Sequence, residues 1–251
     1  MTEIPNFRDI GSKKIGDTDK LKKHVLFRSG SLSKLSEKDQ LFLTDDCQLK
    51  TIVDFRSDQE KNAEPDVVLT GVNYVPINIL ESVTENASLE SMMTTTSSAQ
   101  EMMESVYENL VTAKSAKKGY QLFLELLLEG QGQPLLFHCS AGKDRTGFAA
   151  ALLLTLLGAS KTDIYADYLL TNQQRSAVNQ QMIDQIKATY HLSETQLKQL
   201  NLMLQVDQAY LDKAFETIDQ EFGNFDHYVT EGLNFSHEKI TDLRNFYLIS
   251  D

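Results

Sequence analysis

With 251 residues, 41% hydrophobic, 24% charged and only four prolines, the chain can bury one sizeable α/β core and leaves little room for linkers. A net charge of −12 disfavours nucleic acid and anionic membrane as partners. The longest apolar run, Gly147 to Leu157, falls short of the roughly 20 residues a bilayer requires, and residues 1–12 carry no basic-then-apolar leader pattern, so no stable membrane insertion is expected.

From the N-terminus, residues 1–38 hold nine Lys and Arg against five Asp and Glu, so the rest of the chain is more acidic than the average. By itself this basic stretch reads as a solvated lysine-rich loop around Lys13 to Lys23. Ser36 is placed to cap a helix running through Leu43. The runs Thr51-Ile52-Val53 and Leu135-Leu136-Phe137 predict two central strands, each ending in chemistry-bearing residues as strands of an α/β sheet tend to do. Between them, residues 81–118 change texture. A polar stretch from Ser91 to Ser98 is followed by Met102, Val106 and Leu110 near helical spacing. Beyond Arg145 the sequence is apolar nearly all round to Leu157, which predicts a buried helix, and Gly158 is placed to end it. Residues 161–248 show no strand-like alternation and read as several helices, with a capping box at Ser193 to Gln196. No internal repeat is apparent.

The segment His138-Cys139-Ser140-Ala141-Gly142-Lys143-Asp144-Arg145-Thr146-Gly147 sets a cysteine and an arginine six positions apart, just ahead of that buried helix. A loop of this length can turn the N–H groups of Ser140, Ala141, Gly142 and Lys143 inward around an anion, at a point the helix N-terminus also favours. Arg145 would close the cradle with a fork that grips two phosphate oxygens. The same positive field favours a thiolate at Cys139. The chemistry suggested is phosphoryl transfer to sulfur. Cys47 is then left as a buried free thiol, and two cysteines do not fix the compartment. A cysteine–histidine pair is too small for a zinc site, so neither metal nor cofactor is implied.

On these residues the chain resembles the cysteine-dependent tyrosine phosphatases with their Cys-x5-Arg signature. More narrowly it resembles the bacterial group known as tyrosine phosphatase family 3, which includes dual- and triple-specificity phosphatases of mycobacterial and listerial pathogens. The likeness extends to Asn6-Phe7-Arg8-Asp9-Ile10-Gly11, Leu26-Phe27-Arg28-Ser29-Gly30, Val53-Asp54-Phe55-Arg56-Ser57 and Asp167-Tyr168-Leu169-Leu170-Thr171-Asn172. It implies one domain over 1–251 with a tyrosine-phosphatase-like, parallel-rich central sheet flanked by helices, and a helical lid at 81–118. An ordinary helix packed permanently on the core is the alternative for that insertion. It also implies that the basic N-terminal segment borders the phosphate entrance. A cytoplasmic location is the default reading, although relatives can be secreted and a chain freed of its leader would read the same way.

The roles that follow are a nucleophile at Cys139 and an oxyanion clamp at Arg145. Thr146 is placed either to hydrogen-bond the cysteine sulfur or to serve as a plain helix-start threonine, and His138 to orient the loop. By resemblance, Asp144 is the first choice as general acid. Asp54 is the rival, as an acid, as a partner orienting Arg145, or as a surface ion pair with Arg56. Lys143 has counterparts in phosphoinositide phosphatases, which widens the implied substrates from phosphotyrosine proteins to phosphoserine, phosphothreonine and phosphoinositides. Arg8, Asp9, Arg28 and Arg56 either line the entrance or form structural ion pairs. A rhodanese-like sulfurtransferase and a non-catalytic phosphate-binding module compete with this reading. Arg145 and Asp144 favour phosphate over the first, and a nucleophile beside a candidate acid disfavours the second.

Overall fold

A computed structural model describes residues 2–16, 18–80 and 98–250. The main sheet has five strands in the order β1 (Arg8–Asp9), β4 (Leu26–Ser29), β7 (Leu135–His138), β5 (Thr51–Asp54) and β6 (Asn73–Pro76). Every neighbouring pair is parallel except β1 with β4. Both strands expected to be central are interior, and β4 and β7 are buried along their whole length, as strands covered on both faces must be. Alternation divides their side chains between two cores. Leu26, Val53 and Phe137 join the larger cluster, whereas Phe27, Ile52 and Leu136 join the smaller one on the opposite face. In register, Ser29, His138 and Asp54 stand side by side at the C-terminal ends of three parallel strands.

A second, antiparallel sheet joins β2 (Lys14–Ile15), β3 (Asp19–Leu21) and β8 (Leu248–Ser250). The helices expected over 161–248 end where β8 begins, and β8 itself is not expected from the sequence. Three residues are too few to show alternation, and β8 exists because β3 offers it a pairing edge. Ser36 does cap helix α1 (Glu37–Leu41), through a full capping box with Asp39, but the helix does not continue to Leu43 in α form. It widens into a π-turn over Phe42–Asp46. Helix α2 (Asp58–Ala63) follows β5.

Helix α3 (Ala99–Thr112) buries Ala99, Met103, Tyr107, Leu110 and Val111, while Met102 and Val106 are half-buried. It is seated against helices α4 (Lys114–Gly130), α7 (Glu194–Leu204) and α8 (Gln208–Phe222). The helical part of the expected lid is thus packed on the core; the polar part, 81–97, lies outside the described residues. Helix α5 (Arg145–Leu157) is buried almost all round, packs on β4 and β7, and ends at Gly158 with φ of 92°. Its Schellman-type turn needs the left-handed conformation that glycine adopts without penalty. The 29-residue α6 (Lys161–Thr189) packs along it. Among the described residues no helix is long and apolar enough to cross a membrane. Cys47 is a buried free thiol, and burial pushes it up to about 12.

Asp167 of α6 joins these parts. Its Oδ1 lies 3.0 Å from Arg8 Nε and its Oδ2 2.6 Å from Arg28 Nη1, all three side chains being buried. Burial alone would raise the Asp167 pKa, but the charges of Arg28 and Arg8 outweigh it and hold the carboxyl down to about 2. A depressed carboxyl stabilises the fold above its unfolded value and loses that contribution as pH falls through its folded value. Asp167→Asn leaves two buried guanidiniums without their main counter-charge, an expected cost of about 3–5 kcal/mol near neutral pH. Urea unfolding of the two proteins should show that gap at about pH 7 and a narrower one at about pH 3; a gap independent of pH would contradict the assignment.

Candidate active site

The loop between β7 and α5 is held from outside by its carbonyls. Ser31 N–H donates to the Ser140 carbonyl at 2.9 Å. Arg175 Nη1 donates to the Ala141 carbonyl at 3.0 Å, and Asn6 Nδ2 reaches the same oxygen at 3.3 Å. Asn6 Nδ2 and Arg28 Nη2 donate to the Gly142 carbonyl at 2.8 and 2.9 Å. In a trans peptide the following N–H points opposite to the carbonyl. The N–H groups of Ala141, Gly142 and Lys143 are thereby directed to the inner side, and among the described residues none of them donates to a protein acceptor. Gly142 permits the turn: its φ is +65°, and a Cβ there would collide with the Ser29 carbonyl oxygen. Cys139 stands at the base of the loop, 2% exposed. The Thr146 hydroxyl is buried and without a hydrogen-bond partner among the described residues.

Arg145 crosses to Glu60 of α2, with Nη1 2.6 Å from Oε2 and Nη2 2.7 Å from Oε1. Ser57 and Glu60 form a capping box at the start of that helix, and the Ser57 N–H to Glu60 Oε2 bond of 2.8 Å fixes the carboxylate. The Ser140 hydroxyl donates to the other Glu60 oxygen. A cation at the first position of a helix opposes the helix dipole unless an anion is supplied, and Glu60 supplies it. Burial would raise the Glu60 pKa, but hydrogen bonds and charge from Arg145 bring it down to about 2. For Arg145, burial works against the charge and Glu60 more than restores it. Sequence reading missed Glu60; the Ser-x-x-Glu spacing at 57–60 gives the cap but not its partner 85 residues on.

Asp144 is half-buried, and its Oδ1 receives both Lys143 Nζ at 2.9 Å and the Tyr107 hydroxyl at 3.0 Å. Tyr107 in turn lies 2.7 Å from the Tyr168 hydroxyl. Burial first, then the Asp144 charge, raises the Tyr107 phenol well above its ordinary range, so it stays a donor. Lys143 is itself buried and also donates to the Gln205 carbonyl at 3.2 Å.

Asp54 is placed differently. It is fully buried and accepts from Arg56 Nε, Nη2 and backbone N–H at 2.8–3.0 Å and from the Tyr74 hydroxyl at 2.5 Å. Burial raises its pKa, and these donors, Arg56 foremost, bring it below the usual carboxylate range. The structure therefore pairs Asp54 with Arg56 inside the protein rather than at the surface, and gives Arg145 to Glu60 instead. His138 Nε2 lies 3.0 Å from Asp66 Oδ2 and its Nδ1 3.3 Å from the Cys139 carbonyl oxygen, under the loop. Asp54, Asp66 and His138 have ligand-type atoms within 4.8 Å of one another. Arg56 Nη2 sits 2.8 Å from a carboxylate oxygen of each aspartate, so the cation of that cluster is the guanidinium. Arg8 and Arg28 are likewise in structural pairs with Asp167, and Asp9 accepts from the Gly11 and His24 N–H groups.

The tyrosine phosphatase family matches residues 1–249. The chain belongs to that family. It is similar to a Cupriavidus necator protein named as a tyrosine-protein phosphatase, 32% identical over 98% of this chain and 86% of that one. It is also similar to the triple specificity protein phosphatase PtpB of Mycobacterium tuberculosis, 28% identical over 92% of this chain and 93% of that one. The solved core catalytic domain of the S. cerevisiae PP-IP phosphatase SIW14 covers 88% of this chain and 95% of its own, at 17% identity and a TM-score of 0.38. Membership of that family makes the chain a phosphatase.

Glu60→Gln keeps an acceptor but removes the charge that orients Arg145. Turnover of a small aryl phosphate should fall about 10- to 100-fold, the scale on which misplaced substrate-gripping groups act. Steady-state rates of the two proteins check this, and parent-like turnover in the variant would refute the positioning role.

Proposed function

We propose that this phosphatase hydrolyses phosphate monoesters through a phosphocysteine at Cys139. The observation that carries the reading is the loop geometry, in which three consecutive N–H groups, free of protein acceptors among the described residues, face inward beside Cys139 and Arg145. Those donors and Arg145 hold the equatorial phosphoryl oxygens. The Cys139 sulfur forms a bond to phosphorus as the ester P–O bond breaks, and Asp144 gives its proton to the departing oxygen. Asp144 then takes a proton from water, whose oxygen attacks phosphorus while the S–P bond breaks and phosphate leaves. No step requires a metal or cofactor.

Asp144 is preferred over Asp54 as the acid because it lies in the loop and is half-buried, with both donors on Oδ1. Asp54 has its carboxylate committed to Arg56 and Tyr74. Phosphotyrosine proteins are the first substrate class, from the family. Phosphoserine, phosphothreonine and phosphoinositides are added because PtpB is named for triple specificity and because Lys143 adds a cation to the loop. Against phosphoinositides stands the burial of Lys143, whose ammonium already serves Asp144 and Gln205.

Leaving-group dependence tests the assignment. Asp144→Asn should lose about 100- to 10,000-fold in turnover of alkyl phosphates, the range of general-acid catalysis, and much less with an activated aryl phosphate that departs without a proton. Asp54→Asn should lower both by similar factors, and Cys139→Ser should turn over neither substrate, with or without chelator. Leaving-group sensitivity confined to the Asp54 variant would exchange the two roles, and parent-like turnover by Cys139→Ser would remove the mechanism.

A further inference from the structure

Three polar side chains hold the loop carbonyls at Ala141 and Gly142, and they differ in charge balance. Asn6 is neutral. Arg28 is a cation, but Asp167 neutralises it at 2.6 Å. Arg175, from α6, is 6% exposed and has no carboxylate at ion-pair distance among the described residues. Among the described residues its side chain makes one hydrogen bond, Nη1 to the Ala141 carbonyl at 3.0 Å, and its fully shielded Nε–H has no partner. Holding a carbonyl does not require charge, since Asn6 reaches the same oxygen at 3.3 Å. A buried, unpaired cation costs several kcal/mol. Its retention directly behind an anion-binding loop calls for a compensating anion in that loop.

We propose that Arg175 is a positioning residue of this reaction, fixing the Ala141 carbonyl outward and setting its uncompensated charge against the loop's anion, first the Cys139 thiolate and then the bound phosphoryl group. Burial lowers the pKa of Arg175, and the negative groups that counter the effect are Cys139 and Asp144, both at the loop. The other titratable and charged groups at the loop are His138 from β7, Lys143 and Asp144 within the loop, Arg145 from α5 paired with Glu60 from α2, and Tyr120 from α4, whose hydroxyl donates to the Arg145 carbonyl. Phosphate therefore meets charge on two sides: Arg145 grips it directly, and Arg175 acts through the peptide behind it. The proposal rests on Cys139 being the nucleophile.

Arg175→Gln keeps a donor for the Ala141 carbonyl and removes the charge; Arg175→Lys keeps the charge. Iodoacetate alkylation of Cys139, followed by peptide mapping across pH, reads the thiol, and Cys47 stays silent because burial holds it near 12. In Arg175→Gln the alkylation midpoint should rise by about one pH unit, as for a thiolate that loses a nearby cation. Inhibition by inorganic phosphate should weaken by about tenfold, the equivalent of that shift. Arg175→Lys should retain most of the parent behaviour. A folded Arg175→Gln with the parent midpoint and phosphate inhibition overturns the proposal, as does a Lys variant that behaves like the Gln variant. If neither variant folds, the Arg175 Nε–H resonance of the parent decides: it should shift on titration with phosphate, and an unmoved signal is the contrary result. Failure of the underlying mechanism has a separate signature, turnover by Cys139→Ser.

Discussion

A trans peptide unit points its carbonyl and its N–H to opposite sides, and this rigidity organises the whole site. By tying the carbonyls of Ser140, Ala141 and Gly142 to groups outside the loop, the protein directs the next three N–H groups inward. The ties come from distant places: Asn6 near the N-terminus, Ser31 and Arg28 from the end of β4 and the turn after it, and Arg175 from α6. Each would be a weak constraint alone. Together they fix the cradle in advance, and under the proposed function its donors would need no reorganisation when an anion arrives, the condition under which such donors contribute most to catalysis.

The same ties explain why the arginines behind the loop are buried rather than exposed. Arg8 and Arg28 share Asp167, so the carbonyl clamp is built on a buried ion triad linking β1, β4 and α6. Such triads add little net stability over apolar packing but punish the loss of one partner. Here the fixed geometry has a use: Arg28 reaches Gly142 because Asp167 holds its other end. On the opposite flank the capping box of α2 performs the equivalent task, locking Glu60, which in turn fixes the Arg145 guanidinium. Asp54 and Arg56 form another closed pair, and the buried His138 sits against them beneath Cys139.

The cysteine, the arginine and the helix behind them are legible in the sequence because they are local: six residues fix the loop, and eleven nearly unbroken apolar positions fix α5. The central strands are legible for the same reason, as buried apolar runs ending in polar residues. What sequence could not supply was pairing across the chain. Nothing in Ser57-x-x-Glu60 tells that the carboxylate meets Arg145, and nothing at Arg175 distinguishes it from a solvated helix cation until its burial against Ala141 is seen. Asp54 shows the converse: of the two partners its place suggests, Arg145 and Arg56, it is Arg56, two residues on, that captures it, and the pair is buried rather than at the surface. Tyr107 falls within the segment read as a lid, but periodicity points to Met102, Val106 and Leu110; of these Leu110 is buried, and the rest of the buried stripe runs one residue later, through Met103 and Tyr107. The strands β1, β2, β3 and β8 have two or three residues each, too short to leave a period.

Under the proposed mechanism phosphate passes through the Cys139 sulfur inside this cradle. Acid quenching during steady turnover of a small aryl phosphate, followed by peptide mapping by mass spectrometry, tests it directly. A phosphocysteine intermediate leaves a single added phosphoryl group on the peptide containing Cys139, at the cysteine sulfur, absent without substrate. Phosphoryl recovered on any other residue, or full turnover with no phosphorylated protein at any quench time, would contradict it.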